Sequence, residues 1–283
     1  MTPAGSAWRG GAVRRLGAWP AYAGLLVFLL LPLGALLLEV VVEAEPLAES
    51  LARESLLGSA AWNTLLLGAG TATLSLAAGA PLARAVARLS ERRRQWMLVL
   101  LGVPLTFSGL VIAYGFILAF GRAGFVTQLV AMLGADPAVV GKWIYSTGGL
   151  AFAYGYYLIP RVALIMVPLF SNLDRRPFDA ALTLGAPPWR AWLDTDFREL
   201  APSFAAIWCL IAAVAMGTYG TALALAGTQI NILPLLIYLK ISDGSGDFPM
   251  AAALSLMLLA LCVLVLAAGE WVARGRDRVM AVH

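Results

Sequence analysis

Six stretches of this 283-residue chain stay apolar for the length of a membrane crossing, and they leave the chain few folds to choose from. They run from about Tyr22 to Val42, Ala61 to Val86, Trp96 to Phe120, Gly148 to Phe170, Ser203 to Leu225 and Met250 to Val272. About 20 apolar residues wound as a helix span the hydrocarbon layer, whereas a transmembrane strand needs only about 9–11. In lipid every backbone N–H and C=O must find a partner within the protein, which favours helices for runs of this length. The pattern predicts an all-α integral membrane protein with six transmembrane helices.

Composition agrees and narrows the functions open to the chain. Residues are 61% hydrophobic and 13% charged, against about 25% charged in soluble domains. Six spans and their loops use up the length, so no soluble catalytic domain is expected. The only histidine is His283 at the end of the sequence. Cys209 and Cys262 sit within apolar runs and read as packing residues, so neither a disulfide nor a metal site is expected. No glycine-rich loop leading into Lys and Ser or Thr is present to cradle nucleotide phosphates. Gly68-Ala69-Gly70 follows no strand and reads as helix packing, along with Ala72, Ala77, Ala78, Gly79 and Ala80.

The basic residues set an orientation. With the N-terminus inside, fifteen of the 20 Lys and Arg fall in inner segments. Arg53, Arg122, Lys142 and Lys240 fall outside, and Arg161 lies within a span. This bias predicts that both termini are cytoplasmic, and it accounts for the net charge of +4 without any nucleic-acid partner. The first apolar run is longer than a signal-peptide core, so an uncleaved span is expected despite the basic residues before it. Short surface helices are expected on the outer side over Phe125–Leu133, ended by Gly134, and over Ile232–Leu239.

Between the fourth and fifth runs lies a polar segment, Phe178–Pro202, bearing both signs of charge. It reads as two short helices with a bend. Pro177 suits a first helical turn, Gly185 suits a left-handed helix end, and Pro187-Pro188 can open a second helix. Trp189, Trp192, Leu193 and Phe197 recur at helical spacing there.

This segment resembles the signature loop of ABC importer permeases of type I. Asp179-Ala180-Ala181 stands for Glu-Ala-Ala, Gly185 holds the glycine, Trp192 an aromatic position and Phe197 the late apolar one. Asp179 shortens the acidic arm, and Arg198 replaces a customary Pro, while Pro202 matches a second one. Tyr114-Gly115 with Phe120-Gly121-Arg122-Ala123-Gly124 is similar to ferric iron and thiamine permeases. The outer segment ending in Asp247-Phe248-Pro249 is similar to spermidine/putrescine and 2-aminoethylphosphonate permeases. The resemblance implies a cytoplasmic coupling helix between spans four and five, docking on a separate ATP-binding subunit. It also implies a second permease subunit, homologous or identical, and a periplasmic solute-binding protein, all at a bacterial inner membrane. No cofactor is then bound by this chain itself, since ATP and magnesium belong to the partner ATPase. The implied layout is a tail over 1–21, a first transmembrane helix and outer loop over 22–60, a five-span permease module over 61–272 with its coupling loop at 171–202, and a tail over 273–283. The reading from residues alone also leaves open a channel or secondary carrier that works without an ATPase.

Arg161 is the charged side chain placed deep in a span, and such residues usually face a bundle interior or a watery path. Tyr154 and Tyr157 precede it by about two turns and one turn on the same face. Together with Tyr114 and Ser108 of the third run they are the candidate path residues. The competing reading has Arg161 tying helices together or snorkelling to an interface. On a path, its charge favours an anionic or zwitterionic solute such as a phosphonate over a polyamine.

Overall fold

A computed structural model describes residues 10–227, 230–242 and 246–280, with the side chains of 10–21, 45, 46, 48, 52, 53 and 272–280 outside the description. Arg9, Gln229, Asp243 and His283 therefore lie outside the described residues, as do the side chains of Arg14, Arg15, Arg53, Arg274, Arg276 and Arg278. In chain order the helices are α1 (Gly10–Val42), α2 (Ala44–Arg53), α3 (Leu57–Ala87), α4 (Glu91–Thr106), α5 (Gly109–Phe120), α6 (Phe125–Ala131) and α7 (Pro137–Lys142). A single 3-10 turn, Trp143–Tyr145, leads into α8 (Thr147–Asn172). There follow α9 (Arg176–Thr183), α10 (Pro188–Trp192), a π-helical turn (Leu193–Phe197), α11 (Arg198–Met216), α12 (Gly220–Ala226), α13 (Leu233–Ser242) and α14 (Phe248–Met280). Among the described residues, six helical segments are long and apolar enough to cross a membrane.

Helices α3, α8 and α11 form the centre, and small residues set how closely they approach. A Cβ on Gly79 would lie 2.7 Å from the Val162 side chain of α8, and one on Gly68 would lie 2.5 Å from Met216 Cγ of α11. Without a hydrophobic force between helices in lipid, such backbone contact is what holds them together. Leu67, Leu158, Met166 and Ile211 are buried in the resulting core. Helix α14 packs on the far side of α11, where a Cβ on Gly269 would meet Cys209 Sγ at 2.6 Å. Helix α1 lies along α14 at the periphery, with its Tyr22–Val42 stretch unburied.

The polar Asn63-Thr64 pair ties the start of α3 to the loop before α13. Asn63 Nδ2 donates to the Asn231 carbonyl at 2.9 Å, and Thr64 Oγ1 accepts from Leu233 N–H at 2.9 Å. Lys240 at the end of α13 pairs with Glu54 at 2.8 Å. The short helices expected over Phe125–Leu133 and Ile232–Leu239 form as α6 and α13, and Gly134 follows α6 at φ +94°. The arginines at the end of α3, the start of α4 and the start of α9 gather at the opposite end, where Arg94 Nη1 reaches Ser171 Oγ at 3.4 Å and Arg84 stacks on Trp192 at 5.5 Å.

Three boundaries differ from the sequence reading. The third apolar run is two helices, not one: Pro104 stays inside α4, and the chain extends at Phe107 and Ser108 before α5 begins. The fifth run is also broken, at Gly217–Tyr219, and resumes as α12. Conversely, the polar segment before it does not end at Pro202. That proline lies inside α11, and α10, the π-turn and α11 form one continuous rod over Pro188–Met216. Pro202 has no N–H to offer the Arg198 carbonyl one turn earlier, and the π-turn Leu193–Phe197 just before that point takes up an extra residue within the same rod.

Candidate functional site

The two breaks face each other inside the bundle. Thr221 Oγ1 at the start of α12 donates to the Gly109 carbonyl at the start of α5, at 3.0 Å. A Cβ on Gly109 would lie 2.5 Å from that hydroxyl, so only glycine lets the two helix starts meet. Tyr154 of α8 is fully buried, and its hydroxyl donates to the Thr218 carbonyl at 2.9 Å. Thr218 Oγ1 in turn donates to Val214 O at 2.8 Å. Broken helices at membrane depth are tolerated only where the freed groups find partners in protein or a watery cavity, and in transporters such breaks mark the passage.

The sequence-derived path residues do not all come together. Tyr154 and Tyr157 stack edge to face with ring centroids 5.9 Å apart, directly beside the α11–α12 break. Ser108 caps α5 by accepting from Val111 N–H at 3.4 Å, which places it one residue from the Gly109–Thr221 contact. Arg161 is half-buried one turn beyond Tyr157, and no hydrogen bond or ion pair joins it to a described residue. Tyr114 stands apart, 57% exposed on α5. Sequence reasoning missed Gly109, Thr218 and Thr221. The signal was present, because Gly217-Thr218-Tyr219-Gly220-Thr221 interrupts an otherwise apolar run.

The polar segment at the arginine-rich end is built around Gly185. Its φ is +86°, and it closes α9 with two backbone bonds, Ala186 N–H to Ala181 O at 3.1 Å and its own N–H to Leu182 O at 3.0 Å. That pair of bonds is a Schellman ending, which needs the left-handed residue. Asp179 lies in the first turn of α9, where it complements the helix dipole, and both it and Ala180 are exposed while Ala181 is half-buried. The aromatic positions divide. Trp192 is half-buried with its ring 5.3 Å from that of Phe197, which stays 38% exposed and continues to Phe204 at 5.7 Å. Trp189 turns outward at 60% exposure beside Leu184 at 89%. Asp196, in the π-turn, is drawn inside to 5% exposure.

Residues 75–278 match the family described as binding-protein-dependent transport system inner membrane component. The chain belongs to that family. A protein of Sinorhizobium fredii named "Probable ABC transporter permease protein y4fN" is 25% identical over 256 residues, 88% of this chain and 44% of that one. The sulfate transport system permease protein CysT of Escherichia coli is 27% identical over 167 residues, 58% of this chain and 56% of that one. The chain thus spans about half the length of these relatives. In fold it is similar to a chain in the crystal structure of a bacterial alginate ABC transporter, solved with an alginate pentasaccharide-bound periplasmic protein. The TM-score there is 0.76 at 13% identity, covering 93% of this chain and 94% of that one. The named relatives of this inner membrane component are permeases, which are transport components and not enzymes.

Proposed function

We propose that this chain is a permease subunit of a type I ATP-driven importer. It lines the passage for a small solute together with a second permease subunit, while ATP-binding subunits dock beneath and a periplasmic binding protein delivers from outside. The observation that carries this reading is the rod Pro188–Met216. Its 29 residues extend over about 43 Å. One end begins beside the exposed Gly185 turn, and the other stops at the break next to Tyr154. A push on the turn is carried along a stiff element to the place where the helices are discontinuous. Leu184, Trp189 and Leu193, exposed beside Asp179 on a polar segment, form the docking face for the ATP-binding subunit. Membership of the family and the likeness to the alginate transporter support the same assembly.

The charge along the chain favours an anionic or zwitterionic cargo, of the 2-aminoethylphosphonate type rather than a polyamine. Arg161 is the charge deepest in the spans. At the outer end a pocket of about 860 Å³ is lined by Arg122, Lys142, Trp143, Tyr145 and Ser146, with no acidic residue among its lining. A polyamine would meet repulsion at both places, whereas an anion is drawn in. CysT belongs to a sulfate system, and alginate is an acidic polysaccharide, so similar proteins serve anions.

Purification of the tagged chain from its native membrane tests the assembly. A nucleotide-hydrolysing subunit is expected to accompany it, and uptake in proteoliposomes is expected to require ATP inside. Solute flux through the purified chain without nucleotide would instead mark a channel or carrier. Orientation is tested separately in a background lacking Cys209 and Cys262. Ser55→Cys, in the exposed turn between α2 and α3, is expected to react with an impermeant thiol reagent in intact cells. Leu184→Cys is expected to react only after the inner face is opened, and labelling of residue 184 from outside would reverse the topology.

A further inference from the structure

At the arginine-rich end, two cavities join into one groove with a polar mouth and an apolar body. The mouth, about 550 Å³, is lined by Arg84, Arg88, Arg175, Ser171 and the buried Asp196. The body, about 460 Å³, runs between α3 and α11 past Pro81, Ala77, Phe204 and Trp208 to Thr73. Arg84 and Phe170 line both. From Arg84 to Thr73 along α3 is about 16 Å, close to the roughly 15 Å depth of one hydrocarbon leaflet.

We propose that this groove holds one anionic phospholipid, with its phosphate among Arg84, Arg88 and Arg175 and an acyl chain between α3 and α11. Charge identifies the occupant. Three guanidinium groups face a single carboxylate at the mouth, and Arg94 reaches the mouth through Ser171, so a zwitterionic headgroup satisfies the cations less well than an anionic one. Basic pockets between membrane helices select anionic lipid in this way. Trp192, which lines the apolar part next to Arg84, carries a buried ring N–H with no acceptor among the described residues. A lipid oxygen near the mouth supplies one, and buried donors are costly to leave unpaired. The same lipid touches Phe197 and lies against Asp196, so it braces the π-turn at the base of the rod that leads to the α11–α12 break.

The test uses the purified full-length chain in dodecyl maltoside, titrated with phosphatidylglycerol, phosphatidylcholine or inorganic phosphate and followed by native mass spectrometry. One phosphatidylglycerol is expected to bind at least tenfold more tightly than phosphatidylcholine. Arg88→Gln with Arg175→Gln is expected to weaken it about 25-fold, from roughly fivefold for each basic side chain near the surface. Ala77→Phe is expected to weaken it too while leaving every arginine in place. Residues 77, 88 and 175 are exposed, so helical content and elution volume should match the wild type. Equal binding of the two lipids, or unchanged phosphatidylglycerol binding in both variants, overturns the proposal. Displacement of the lipid by millimolar phosphate would make the mouth a free-anion site and overturns it as well. High-yield cross-linking of Ala77→Cys between two copies of the chain would show that a second permease subunit covers the groove, and that too overturns it. None of these outcomes bears on whether an ATPase docks at Gly185.

Discussion

A Gly185→Val variant is expected to reach the membrane at wild-type level and to import at least tenfold more slowly. Gly185 sits at φ +86° in open space, so a side chain there meets no neighbour, and the whole penalty is backbone strain. An L-residue in the left-handed region costs about 1–2 kcal/mol, and a β-branched one sits at the upper end. That energy shifts the Schellman turn by a factor of roughly 5–30 toward other conformations. The segment is exposed and outside the packed core, so stability and insertion change little. What changes is the angle between α9 and the rod beginning at Pro188, and with it the alignment of Asp179, Leu184 and Trp189 on one docking face. Gly185→Asn, which tolerates the left-handed region, is expected to keep most uptake. Uptake of the solute at matched membrane levels is the measurement. Wild-type transport by the valine variant would remove the docking role from this turn.

The second large effect is at Arg161. A charge at a helix centre costs about 2.5–3.5 kcal/mol on the insertion scale, so Arg161→Gln is expected to insert at least as well as the wild type. Its import is nevertheless expected to fall at least tenfold. No described carbonyl or carboxylate holds this side chain, although it is half-buried one turn from Tyr157, so the substitution breaks no hydrogen bond or ion pair to a described residue. Arg161→Lys keeps the charge as a compact ammonium and is expected to retain much more transport, because a small anion needs attraction there before it needs a planar fork. The quantities to compare are initial uptake rate and apparent affinity at matched levels, with a phosphonate and spermidine as competing solutes. Equal rates in wild type, Gln and Lys variants would make Arg161 structural and remove the argument for an anionic cargo.

Much of this arrangement is legible in the chain itself. Runs such as Tyr22–Val42 and Met250–Val272 become helices because hydrocarbon offers the backbone no other partner, so their identity needs no tertiary information. Gly134 and Gly185 announce their turns for an equally local reason: each is the one residue type for which the required φ carries little cost. The Asp179–Gly185 pattern and its place between the fourth and fifth runs mark the polar segment without any knowledge of contacts. Small residues on the second run announce close helix contacts, but not that Gly79 meets Val162 and Gly68 meets Met216.

The breaks have a different origin. An unwound segment inside a bilayer persists only when its orphaned groups are taken up by other parts of the chain. Here the Gly109 carbonyl is met by Thr221, 112 residues away, and the Thr218 carbonyl by Tyr154, 64 residues away. No local window contains both members of either pair, so apolar runs three and five read as single helices until the fold supplies the partners. The same holds for Trp189 and Trp192. Their spacing placed them on one amphipathic face, yet packing under Arg84 draws Trp192 inward and leaves Trp189 outside. Which segments enter the membrane, and where the chain turns between them, follows from runs of neighbouring residues, because hydrocarbon acts on each run separately. Where a helix can stop inside the membrane depends on the folded bundle, because the hydrogen-bond partners that make stopping possible come from distant segments.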